Sequence, residues 1–134
     1  MSRWVSDAHA LLWHLYAAPQ LSARVRDVFE QADAGEHIII IPAIALVEII
    51  YLSEKGKIAS DAVQRVIDLL RAGSENYQVA PLDLDVTMAL GRVDRNTVPD
   101  MPDRIIAATA LHLDLPLLTR DPKIAALNLF TTVW

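Results

Sequence analysis

Residues 37–41 read His-Ile-Ile-Ile-Ile and run into Pro42. A strand sends successive side chains to opposite faces, so four isoleucines in a row leave both faces apolar. Such a strand has to be covered on both sides, which is the usual condition of a parallel strand in an α/β domain. The rest of the chain is then expected to supply helices for two faces.

The flanking pattern meets that demand. Residues 3–6 form a short strand candidate that ends at Asp7, followed by an apolar helix over 8–16 that Pro19 closes. Ser22 caps a second helix, with Val25, Val28, Phe29 and Ala32 inward and Gly35 at its end. After the isoleucine strand, Pro42 starts a helix over 43–55 stopped by Gly56, and Ser60 and Asp61 open another through Arg71, stopped by Gly73. Residues 77–82 are a third strand. Asp83 caps a helix through Val93, and a polar loop over 94–98 follows. Pro102 and Asp103 then open a largely buried helix that leads into the short apolar strand 115–118. A short helix over 122–127 and a last strand over 130–134 complete the order. The alternation predicts a single α/β domain over residues 1–134, an α/β/α sandwich on a mainly parallel sheet of about four to five strands.

Composition narrows the chemistry. There is no cysteine, which removes disulfides, thiolate metal sites and thiol nucleophiles. The first residues lack the charged-then-apolar design of a signal peptide. The most apolar stretch, 38–52, is too short to span a bilayer. A cytoplasmic setting is expected. Net charge is −5, from 17 acids against 12 bases, a poor default for a nucleic-acid binder unless bound cations reverse the sign locally. No Gly-x-Ser-x-Gly, Gly-x-Gly-x-x-Gly or phosphate-loop motif occurs. His9, His14, His37 and His112 lack metal-pair spacing and read as surface or packing residues.

The acids carry the functional signal. Ligands of open parallel sheets bind at the carboxyl ends of the strands. Asp7 ends the first strand and Asp121 the penultimate one. Glu48 stands two turns into the helix after the second strand, and Asp103 in the first turn of the helix entering the penultimate strand. Taken singly, Asp7 and Asp121 read equally as turn residues and Asp103 as a cap. Glu48, set among Ile44, Ala45, Leu46, Val47, Ile49 and Ile50, is harder to explain structurally, since an unpaired buried carboxylate is costly. Converging carboxylates suit a hard cation, Mg²⁺ or Mn²⁺, which can activate water against a phosphodiester. Arg104 and Arg120 flank the acids and are candidates for substrate phosphate, or merely neutralise a neighbour.

Four stretches, in this order and spacing, resemble PIN-domain ribonucleases, specifically the VapC-type toxins of bacterial toxin–antitoxin pairs. They are Val5-Ser6-Asp7-Ala8-His9-Ala10-Leu11-Leu12-Trp13; Ile41-Pro42-Ala43 leading to Val47-Glu48-Ile49; Asp100-Met101-Pro102-Asp103-Arg104-Ile105-Ile106-Ala107-Ala108-Thr109-Ala110; and Pro116-Leu117-Leu118-Thr119-Arg120-Asp121. The resemblance implies a metal-dependent endoribonuclease with Asp7, Glu48, Asp103 and Asp121 as metal-binding acids. Asp100 matches a further frequent acid, and Thr119 a polar position beside the site. It also implies homodimerisation and inhibition by a small antitoxin. One departure is that Ile44, Ala45 and Leu46 stand where relatives often carry small or polar residues. Apolar excess on the first helix (Leu11, Leu12, Trp13, Leu15) and the third (Leu46, Ile49, Ile50, Leu52) also points to a homodimer. Two other classes stay open here: a receiver-like phosphoacceptor domain, and a PIN-like module that binds RNA or a partner without cleaving.

Overall fold

The computed structural model describes residues 1–73 and 75–134. Five parallel strands form one sheet in the order β3-β2-β1-β4-β5: β1 (Ser2–Ser6), β2 (His37–Pro42), β3 (Tyr77–Ala80), β4 (Leu117–Leu118) and β5 (Thr132–Val133). The helices between them are α1 (Ala8–Leu15), α2 (Ala23–Asp33), α3 (Ala43–Glu54), α4 (Ala62–Ala72), α5 (Leu84–Leu90), α6 (Met101–Leu113) and α7 (Pro122–Ala125). Successive residues Ile39, Ile40 and Ile41 are all buried, so both faces of β2 are covered, as the isoleucine run requires. The result is an α/β/α sandwich.

The local chemistry of the caps sets the helix boundaries. Asp7, Ser22, Asp83, Asp100 and Asp121 each stand at an N-cap and accept a backbone N–H from two or three residues ahead. Gly35 and Gly56 take φ of 84° and 68° just beyond α2 and α3, where a residue with a Cβ is strained. α1 ends earlier than Pro19 demands, because Ala17 already turns left-handed at φ 48°. Asp61 forms no capping bond with α4; its carboxylate instead accepts the Tyr16 hydroxyl at 2.5 Å, tying α4 to the end of α1.

The later strands are shorter than the sequence pattern suggests. β4 is two residues long, not four. Asp114 closes α6 in the left-handed region, and the Leu115 N–H returns to the Ala110 carbonyl, so this segment belongs to the helix end. Pro116 has no N–H, though its carbonyl accepts from Val5 at 2.9 Å. α5 stops at Leu90 rather than Val93, and β3 stops at Ala80 before Pro81. Leu11 and Leu12 lie inside the chain's own core, so the apolar excess expected on α1 is absorbed within the chain. α3 does leave Val47, Ile50 and Tyr51 exposed.

Leu117 sits on β4 between β1 and β5 and is wholly buried. Leu117→Ala should therefore cost roughly 2–5 kcal/mol of unfolding free energy. Urea melts followed by circular dichroism check this; a loss under about 1 kcal/mol would mean that β4 is not packed as described.

Candidate active site

The chain leaves β1 for β2 and β3 on one side, then returns to place β4 on the other side of β1. The carboxyl ends of β1 and β4 therefore flank the point where strand order reverses, the usual ligand crevice of an open parallel sheet. The register pairs Ser6 with Leu118, so the next residues, Asp7 and Thr119, come side by side. The buried Thr119 hydroxyl donates to Asp7 Oδ2 at 2.6 Å and accepts the Asp121 N–H at 3.1 Å. Asp7 Oδ1 accepts the Ala10 N–H at 2.8 Å, so this carboxylate caps α1 while facing the crevice.

α3 and α6 bring the remaining acids. Glu48, on the second turn of α3, is half-buried. Asp100 caps α6 and accepts the Asp103 N–H at 3.3 Å. One carboxylate oxygen from each of Glu48, Asp100 and Asp103 lies within 4.8 Å of the others. Asp100, which the sequence pattern ranks below Asp121, thus belongs to the tightest group.

Crowding moves the protons. Burial, then the charges of Asp103, Asp100 and Asp7, push Glu48 up to about 7. Burial, the charges of Asp100 and Asp121, a hydrogen bond with Asp100 and the charge of Asp7 push Asp103 up to about 7. Burial also raises Asp7, against the pull of the Thr119 hydroxyl and the Ala10 N–H. Asp103 thus joins two overlapping sets, Glu48, Asp100 and Asp103 within 4.8 Å of one another, and Asp7, Asp103 and Asp121 around one cleft. The donor set is oxygen only and rich in like charge, which fits Mg²⁺ or Mn²⁺.

The two arginines part company. Arg104 does not face the acids as a phosphate contact. Its guanidinium donates to the Leu90 and Val93 carbonyls at 3.0 and 2.8 Å, latching the loop after α5 onto α6. That corrects the sequence expectation, in which adjacency to Asp103 stands in for orientation; position N4 of the helix turns the side chain away. Arg120 does line an open cleft of about 300 Å³ beside Asp7, Asp103 and Asp121. His9 and Trp13 line it too, although their sequence context suggests only packing or surface roles. The signal that could have found them is their place on the first two turns after Asp7.

A family model for the PIN domain matches residues 5–128. The chain belongs to the PIN-domain family. Solved structures share the fold over nearly their full length. VapBC2 of Rickettsia felis, bound to a DNA fragment from its promoter, aligns with TM-score 0.73 and 15% identity, covering 98% of this chain and 97% of that one. DNA-bound VapBC of Salmonella typhimurium aligns with TM-score 0.69 and 18% identity over 99% and 98%. A toxin–antitoxin complex of Klebsiella pneumoniae aligns with TM-score 0.66 and 21% identity over 97% and 95%. Among curated proteins there is no significant match. The receiver alternative falls with the family, and receivers use the strand order 2-1-3-4-5, not the order found here.

Glu48 and Asp103 hold protons more tightly when folded, at about 7, than at their ordinary values of 4.5 and 3.8. Their contribution to stability is thus complete below about pH 4 and lost as pH rises through 7. Metal-free protein should melt lower at pH 8 than at pH 5, and Glu48→Gln should reduce that drop by an amount on the order of a few degrees. Thermal melts of both proteins in EDTA measure it; an identical drop in the variant would show that Glu48 is not crowded by its neighbours.

Proposed function

We propose that this chain is a Mg²⁺- or Mn²⁺-dependent endoribonuclease and the toxin of a toxin–antitoxin pair. The observation that carries the reading is the cluster of Glu48, Asp100 and Asp103 within 4.8 Å, next to a cleft that Asp7, Asp103 and Asp121 line, with Glu48 and Asp103 held at about 7. Membership of the PIN family supports nuclease chemistry, and the neighbouring structures are toxin–antitoxin complexes.

In this reading Asp7, Glu48, Asp103 and Asp121 hold the cation, with Asp100 as a further acid. When bound, the cation supplies a more acidic water and charge stabilisation for the phosphodiester in its transition state. The chain's own residues supply geometry. Thr119 fixes one oxygen of Asp7 and the backbone of Asp121 with a single hydroxyl. The Ala10 N–H fixes the other oxygen of Asp7, so that carboxylate cannot turn away from the crevice. Asp100 is restrained by its cap on α6. Without a cation this wall repels RNA, so recognition and catalysis both await the metal.

The proposed partners are RNA as substrate, a small antitoxin as inhibitor, and a second copy of the chain. The exposed Val47, Ile50 and Tyr51 of α3 support the homodimer. Among the described residues no helix is long and apolar enough to cross a membrane.

Purified protein, freed of antitoxin, should cut single-stranded RNA with Mg²⁺ or Mn²⁺, leave 5′-phosphate and 3′-hydroxyl ends, and stop in EDTA. Cleavage that persists in EDTA, or a cyclic phosphate product, would overturn the metal mechanism. Absence of cleavage in either metal, with the melt still responding to Mg²⁺, would favour a binding module. Light scattering at micromolar concentration should return about twice the chain mass of 14.8 kDa; the monomer mass would remove the dimer.

A further inference from the structure

The cleft that Asp7, Asp103 and Asp121 line is also lined by His9, Trp13 and Arg120. The Arg120 guanidinium carbon lies 4.5 Å from the centroid of the Trp13 ring. Trp13 is held from two other directions. His9 leans on it at 5.4 Å with the planes tilted by 45°, and Trp134 meets it edge-on at 5.7 Å and 71°. Arg120 is exposed and borders a cleft with three carboxylates, yet among the described residues it forms no ion pair. A surface arginine in such company would ordinarily fold onto an acid. Here it lies on the indole instead, which leaves its outer face and its N–H edge open to the cleft.

A guanidinium plane stacked on an aromatic ring is one of the surfaces on which unpaired RNA bases stack. Among the described residues Arg120 is also the one arginine that lines this acidic cleft, and its charge suits a polyanion that the carboxylates repel. An ammonium would give the charge without the plane.

We propose that Arg120, laid on Trp13 and flanked by His9, forms a subsite that stacks the base of the nucleotide next to the scissile phosphodiester. The subsite accepts a single-stranded ribonucleotide, because a base inside a duplex already has both faces stacked on its neighbours. Trp13 is a positioning residue that keeps the guanidinium flat. The inference rests on the endoribonuclease reading and adds to it how the RNA is held.

Two measurements separate the subsite from the cleavage reading. In the first, adenosine 5′-monophosphate and ribose 5-phosphate are titrated in Mg²⁺ by calorimetry. The nucleotide should bind about tenfold more tightly than the sugar phosphate, in keeping with the usual worth of base stacking. Arg120→Ala and Arg120→Lys should both abolish that ratio, while Trp13→Phe, which keeps a stacking ring, should retain part of it. A parent ratio near one overturns the subsite, as does a ratio that survives in Arg120→Lys, which would mean that charge alone acts. In the second, steady-state cleavage of single-stranded RNA should show KM rising about tenfold in Arg120→Lys with kcat changed less than about threefold. A kcat loss with KM unchanged overturns the subsite and leaves the nuclease standing. A parent that never cleaves, yet keeps the base-dependent ratio, overturns the nuclease and with it the scissile bond beside the subsite, leaving only the stacking of a base on Arg120.

Discussion

A parallel strand can only gather chemistry at its carboxyl end, and β1 is the strand around which this chain gathers it. It lies between β2 and β4, with partners made far apart in sequence. That pairing fixes Asp7 beside Thr119, and Thr119 in turn fixes Asp121. Shifting β4 by one residue would turn the Thr119 side chain to the opposite face of the sheet and break both bonds. The buried leucines of β4 hold the register against that slip.

The acids then settle a conflict between stability and use. Glu48, Asp100 and Asp103 stand closer than unscreened carboxylates tolerate, and protons answer the crowding at Glu48 and Asp103. Hydrogen bonds share the burden unequally. Asp7 has both oxygens satisfied by protein donors, whereas nothing in the described residues donates to Glu48. Glu48 is thus the member most dependent on something positive arriving, and the one whose replacement should relieve the folded state.

Much of this architecture is legible in the amino-acid sequence. The isoleucine run demands two covered faces, and the caps at Ser22 and Asp83 mark helix starts, whereas α6, whose opening residues suggest Asp103 as the cap, is capped by Asp100. Glu48 declares itself as a carboxylate among apolar neighbours. What escapes the sequence depends on orientation and distance. Arg104 and Arg120 look alike as neighbours of acids, but one points at backbone carbonyls and the other lies on an indole. Trp13 reads as a core residue by hydropathy, and only its place beside Asp7 turns it toward the cleft. Residues 115–118 have strand composition, yet a left-handed Asp114 ties Leu115 back to the end of α6, and only Leu117 and Leu118 form the strand.

The long closure between β1 and β4 also sets when the site can exist. Val5 pairs with Leu117, so the two strands that frame the crevice are separated by most of the chain. Synthesis runs from the N-terminus, and pairings distant in sequence form slowly because a large loop must first be closed. Asp7 is made before Glu48, Glu48 gains Asp100 and Asp103 only some fifty residues later, and Asp7 lacks Thr119 and Asp121 until residue 121 has been added. A growing chain therefore carries the acids as scattered, ordinary carboxylates, and whatever activity their convergence confers is withheld from the nascent polypeptide by topology alone.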